Sequence, residues 1–247
     1  MNLKPLPLAA AIVCFLAAAN FANAITFDFR TGGATSGDYW SNTRTFTSSG
    51  GELTVSVSAI SYDGNDWIDS HLGQSSSYGL YNKNREGWDS HLFDNRKWTD
   101  YAVFEFSRTV SLKSIMLWIP WSKQGDFEYW SGDTSDAPES GGIASSPNFL
   151  GMAWAGWFSN GWWGKSELEG TTTKLLLGAE YVADILSTAN NSCGHHHCGP
   201  SYCDRPDDVG FKIKKLSVDI VPDSGATLAL LGLSLAGLGF FARWRRF

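Results

Sequence analysis

The chain has 247 residues, a formal net charge of −6, 12 tryptophans and only 18% charged residues. With 43% hydrophobic residues and four cysteines, it is neither a disordered chain nor a disulfide-dense miniprotein. The acidic balance argues against a nucleic-acid partner, which would need a basic face, so none is expected.

Residues 1–24 read as a secretory signal peptide. Lys4 supplies the positive start, residues 8–19 form an apolar run, and Ala22-Asn23-Ala24 is a small-x-small cleavage site. An uncleaved anchor is the competing reading, and the short run argues against it. Ile25 is the expected mature start. Residues 25–29 then alternate apolar and polar. Residues 52–59 put Leu53, Val55, Val57 and Ala59 on one face at period two, which predicts a strand. Asp63-Gly64-Asn65-Asp66 predicts a polar hairpin turn; it carries part of a calcium-loop pattern but lacks the closing Glu. The His91-x-x-Asp94-Asn95 segment predicts a turn with two uses. Asp94 and Asn95, with Asp89 and backbone carbonyls, can offer oxygens to a structural calcium, or they can satisfy the turn's own backbone.

Residues 101–106 and 114–119 predict two strands, with 109–112 as the connection between them. Residues 127–130, 151–155 and 211–218 predict three more, 131–148 a long loop, and 179–186 one short helix. No internal repeat is visible. Short punctuated strands of this kind predict an all-β, antiparallel β-sandwich, jelly-roll-like, over residues 25–220. In such a fold Asp28 and Asp208 are further calcium candidates, by analogy alone.

Two clusters invite ligand chemistry. Cys193, His195, His197, Cys198 and Cys203 gather metal-binding residue types within eleven positions, at a spacing unlike common zinc motifs. A disulfide-pinned loop in an oxidising compartment fits the same residues, and with Cys14 removed three cysteines remain, so one is left over. Tryptophans crowd residues 118–163. Trp118, Trp130 and Trp154 read as core, whereas Trp157, Trp162 and Trp163 sit in a Gly-rich stretch where exposed rings can stack on sugar faces. Catalysis finds little support. There is no nucleophile elbow, zinc-protease motif or phosphate loop, and Glu105 and Glu128 are two strand carboxylates expected by chance. No enzyme is expected, and no cofactor beyond that calcium.

At the C-terminus Val221-Pro222-Asp223-Ser224-Gly225 precedes an apolar stretch, residues 226–242, and a tail with Arg243, Arg245 and Arg246. The stretch is roughly the minimum for a transmembrane helix, and the arginines would hold the end inside the cell. A buried helix is the alternative, disfavoured by apolarity all round. This order resembles the PEP-CTERM class of bacterial sorting signals in its VPDSG variant. The resemblance implies recognition by an exosortase, a membrane transpeptidase that would cut near Val221–Gly225 and pass the protein from the inner membrane toward the surface. Residues 71–130, with Gly79-Leu80-Tyr81 and His91 to Asn95, are similar to ectodomains found with such tails; there a His-x-x-Asp-Asn turn precedes two paired strands of a jelly-roll-like sandwich.

Without both end segments, residues 25–222 hold 15 basic residues against 24 acidic ones, a net of −9. The expectation is a membrane-anchored precursor that becomes a structural or adhesive protein of the cell surface or extracellular matrix. The alternative is a surface carbohydrate-binding module whose partner is an extracellular polysaccharide. A glycan-cleaving enzyme comes third.

Overall fold

A computed structural model describes residues 24–63, 65–84, 91–95, 98–120, 125–132, 149–154, 163–179, 209–222 and 232. The described residues form β1 (Ile25–Asp28), β2 (Ala34–Ser36), β3 (Thr43–Thr47), β4 (Thr54–Tyr62), β5 (Trp67–Ser75), β6 (Gly79–Lys83) and β7 (Phe93–Asp94). They continue with β8 (Thr99–Trp118), β9 (Asp126–Ser131), β10 (Phe149–Trp154), β11 (Trp163–Glu167), β12 (Thr171–Ala179) and β13 (Gly210–Ile220). Every pairing among them is antiparallel. The all-β expectation therefore stands.

β8 is the spine. One of its edges carries β12 and then β11; the other carries β4 on the first half and β13 on the second. β4 and β13 are rejoined through β5 and β6, so the path from β8 through β4, β5, β6 and β13 returns to β8. The strands form one sheet folded back on itself, and closure removes the free edges those strands would otherwise expose. β1 and β13, the first and last strands, pair with each other, Ile25 opposite Val218 and Asp28 opposite Lys215.

Hydrophobic period decides what faces inward. Leu53, Val55 and Val57 are fully buried, as are Phe29, Phe104, Leu117, Ile213, Leu216 and Val218, all in one core. Each such side chain contributes about 1.5–3 kcal/mol of burial. A second, smaller cluster lies apart from it: Ile60, Tyr62, Tyr101, Val103, Trp130 and Leu176, with Trp67 against them. Trp130 is thus core, as expected.

The interior also holds a polar cluster. Ser61 Oγ donates to Asp100 Oδ1 at 2.6 Å and accepts from Asn82 Nδ2 at 3.0 Å. A hydroxyl has one proton, so in its 2.8 Å contact with Ser70 Oγ it is Ser70 that donates. Asn84 Nδ2 adds a 3.1 Å bond to Asp100 Oδ1. All five residues are buried and join β4, β5, β6 and β8 by side chains as well as by the ladder.

Three expectations change. Residues 109–112 are not a connection: β8 runs unbroken through them for 20 residues. Ser107-Arg108-Thr109 contains no Gly or Pro to break the strand, and at these three exposed residues β8 changes partner from β4 to β13. Phe93 and Asp94 are not a turn; they form β7 against Phe211 and Gly210 of β13. Accordingly the strand that follows is one long strand rather than a pair. Ala179, expected to start a helix, ends β12 as a fully buried strand residue, and 180–186 lie outside the described residues.

The signal peptide falls outside the described residues except for Ala24, and the expected span 226–242 except for Gly232. Among the described residues no helix is long and apolar enough to cross a membrane.

Candidate functional site

Of the expected glycan-contact residues, Trp157 and Trp162 lie outside the described residues. Trp163 lies in a strand and not in a Gly-rich loop: it opens β11, directly opposite Trp118 of β8. Gly161 and Gly164 mask that strand in the sequence. Gly164 and Ser166 point inward, which leaves Trp163 outward and 36% exposed. Trp118 in turn lies opposite Lys212 of β13, so Trp163, Trp118 and Lys212 form one cross-strand row. Trp118 is half-buried there rather than core.

Tyr78 joins this row from the hairpin between β5 and β6. Ser75 Oγ accepts the backbone N–H groups of Ser77 and Tyr78, both at 3.3 Å, and Gly79 closes the turn at φ +93°. Only glycine takes that conformation without strain. A Cβ at Gly79 would also lie 2.1 Å from the Ile213 carbonyl oxygen, so the hairpin hugs β13 there. The result sets the Tyr78 ring 4.3 Å from Trp118 and 6.4 Å from Trp163, tilted by 37° and 33°.

Two lysines sit on these rings. Lys212 Nζ lies 5.2 Å from the Tyr78 centroid, 4.9 Å from Tyr81 and 5.3 Å from Trp118. Lys214 Nζ lies 3.4 Å from that of Trp163. Burial pushes Lys212 below the usual lysine range; burial first, then Arg30 and Lys215, does the same to Lys214 against the opposing pull of the Asp28 carboxylate. His91 stands 5.4 Å from Tyr81, and burial together with Lys83 and Lys212 lowers its pKa. A lysine over an exposed ring gains about 0.5–1 kcal/mol. A hydrogen bond to a charged group is worth about 1.5–3 kcal/mol. Lys214, over the exposed Trp163 ring, therefore gains by turning toward an anion, whereas Lys212, partly buried among three rings, is held more firmly.

Tyr78, Lys212 and Lys214 were missed in the sequence. The alternation Phe211-Lys212-Ile213-Lys214 does put both lysines on the outer face of a predicted strand. Only the register of β13 on β8 brings Lys212 to Trp118.

Of the oxygen-donor candidates, Asp89 lies outside the described residues. Asn95 Oδ1 accepts the Val209 N–H at 3.2 Å, the backbone-satisfying use of that side chain, and Asp94 is buried. Asp63 Oδ1 accepts the N–H groups of Asn65 and Asp66, both at 2.8 Å, as a hairpin turn requires. Asp28 is gripped by Arg30 Nη2 at 2.6 Å and has Lys215 Nζ at 3.5 Å. Among the described residues no three His, Cys, Asp or Glu side chains converge on one point. Cys193, His195, His197, Cys198, Cys203 and Asp208 lie outside the described residues. Glu105 is exposed and paired with Lys174 at 2.9 Å, whereas Glu128 is fully buried.

The chain leaves the sheet at the sorting motif. β13 ends at Ile220, and the Val221 N–H donates to the Thr109 carbonyl at 3.0 Å, on the segment where β8 changes partner. Pro222 is exposed. Asp223, Ser224, Gly225, Arg243, Arg245 and Arg246 lie outside the described residues.

Residues 221–245 match the family described as VPDSG-CTERM motif, a PEP-CTERM-like exosortase sorting signal. That signal marks an exported protein sorted through its C-terminus and processed by an exosortase. No curated protein and no solved structure matches the chain.

Proposed function

We propose that this exosortase substrate is a structural or adhesive component of the cell surface or extracellular matrix, with residues 25–220 as a jelly-roll-like ectodomain and no catalytic role. The carrying observation is the sorting signal at residues 221–245, joined without a linker to the last strand of an acidic all-β domain. Signal peptide, domain, motif, span and basic tail then follow one another in the order export demands. The acidic surface suits a protein kept soluble outside the cell. The test scrambles residues 221–225 in a host that carries the matching exosortase. The expected outcome is loss of the processed form, with precursor retained in the membrane. Unchanged processing and surface delivery would overturn the reading.

A second reading is favoured by the row of Trp163, Trp118 and Tyr78. Indole and phenol rings on one outer face are the equipment of a carbohydrate-binding module, with extracellular polysaccharide as partner. The two readings are compatible, because a matrix component must hold on to something in the matrix.

A further inference from the structure

We infer that the platform of Trp163, Trp118 and Tyr78 with Lys212 and Lys214 binds a carboxylate-bearing sugar, a uronate residue of an acidic polysaccharide. This narrows the carbohydrate-binding reading and rests on it.

Charge pairing sets Lys212 and Lys214 apart from the other lysines of their neighbouring strands; Lys83, 5.8 Å over Tyr39, is a third lysine on a ring with no carboxylate partner among the described residues. Lys215 has Asp28 at 3.5 Å, Lys165 has Glu167 at 2.7 Å and Lys113 has Asp219 at 3.0 Å. Among the described residues Lys212 and Lys214 have no carboxylate partner; each lies on aromatic rings instead. They belong to a domain with 24 acidic residues against 15 basic ones, where partners are in excess. Two ammonium groups that lie on rings, with no carboxylate partner among the described residues, are thus a local exception to the charge of the molecule, and an anion is their complement.

Lys214 occupies one face of Trp163, and this selects between sugars. A neutral ring stacking on that face must displace the ammonium and offers it nothing in return. A uronate ring takes the same face while its carboxylate receives the ammonium, replacing a cation–π contact with a stronger charge-assisted hydrogen bond. Lys212, held among Tyr78, Tyr81 and Trp118, is placed to receive a second carboxylate along the same row. A simple anion gains only the lysines, and a neutral glycan only the rings.

The test uses the exported chain solubilised in a detergent without a sugar headgroup. Binding to polygalacturonate, neutral dextran, poly-glutamate and anionic phospholipid vesicles is measured at low and at raised salt. The expected result is polygalacturonate binding at least tenfold tighter than any other probe. Lys212→Gln with Lys214→Gln should weaken it tenfold or more, as should Trp163→Ala, all with unchanged circular dichroism. Because Trp163 is an exposed side chain at a strand end, a third variant, Trp163→Phe, should restore much of the binding. Equal binding to dextran, indifferent to the lysine pair, would overturn the uronate inference and leave the carbohydrate reading intact. Equal or tighter binding to poly-glutamate or vesicles would overturn it in favour of charge or membrane. No binding to either polysaccharide by a folded protein would end both readings.

Discussion

Asp28 stands where the first strand meets the last, and its ionisation is tied to that seam. Arg30 holds it through Nε at 2.9 Å and Nη2 at 2.6 Å, and this side-chain pairing, opposed by burial and helped by the Arg30 N–H and by Lys215, lowers its pKa to about 2 from 3.8. A carboxylate with a depressed folded pKa stabilises the fold above its unfolded pKa, and that contribution is lost as pH falls through the folded one. The window is therefore from just under pH 4 down to about pH 2. The pair is well solvated, so the expected contribution is only about 1 kcal/mol after screening. Urea unfolding of wild type and Asp28→Asn should differ by that amount at pH 7 and converge by about pH 2. A gap that persists undiminished at pH 2 would show that Asp28 acts by packing and not by charge.

Elements are legible in this sequence to the extent that one face is apolar and the other polar. β4 was readable because Val55, Val57 and Ala59, in register with Leu53 just before the strand, alternate with Thr and Ser. β5 and β6 were not, because some of their inward positions are Ser70 and Asn82, which look like surface residues until Ser61 and Asp100 are seen to satisfy them. In β12, Leu175, Leu176 and Leu177 are all buried because the strand is covered on both faces, and an unbroken apolar run carries no period to read. The platform was legible only in part: Trp163 stands out as a candidate in the sequence, whereas Lys212, Lys214 and Tyr78 do not, because their meeting with Trp163 and Trp118 depends on the pairing of distant strands. The β5–β6 hairpin is the element that completes it, and Gly79 is its weakest point. Gly79→Ala adds a Cβ at φ +93° and 2.1 Å from the Ile213 carbonyl oxygen. The expected loss is about 1–3 kcal/mol from the backbone conformation alone. Amide exchange of β6 should accelerate ahead of β4, and polygalacturonate binding should fall because Tyr78 is carried by that turn. Protection of β6 equal to wild type would mean that β13 shifts to accommodate the methyl group.

At the scale of the whole molecule, the folded domain and the sorting signal share a boundary with no slack. Val218 is fully buried, β13 ends at Ile220, and Val221, the first residue of the motif, is still hydrogen-bonded to Thr109 at 3.0 Å. A processing enzyme that binds its substrate as an extended strand needs free backbone on both sides of the bond it cuts. On the upstream side that backbone is committed to β8. Access then requires the end of β13 to fray, a local opening that costs far less than global unfolding but is not free. A single exposed backbone hydrogen bond is worth about 1 kcal/mol, which corresponds to roughly fivefold in the open population. Inserting a six-residue Gly-Ser linker between Ile220 and Val221 should therefore raise the rate of processing by about fivefold, read by pulse-chase of the precursor in a host with the exosortase. The folded domain itself would be unchanged, since every strand pair is retained. A linker that leaves the rate unchanged would mean that the enzyme touches nothing upstream of Pro222, and the tether of Val221 to Thr109 would then serve only to seal the end of β13.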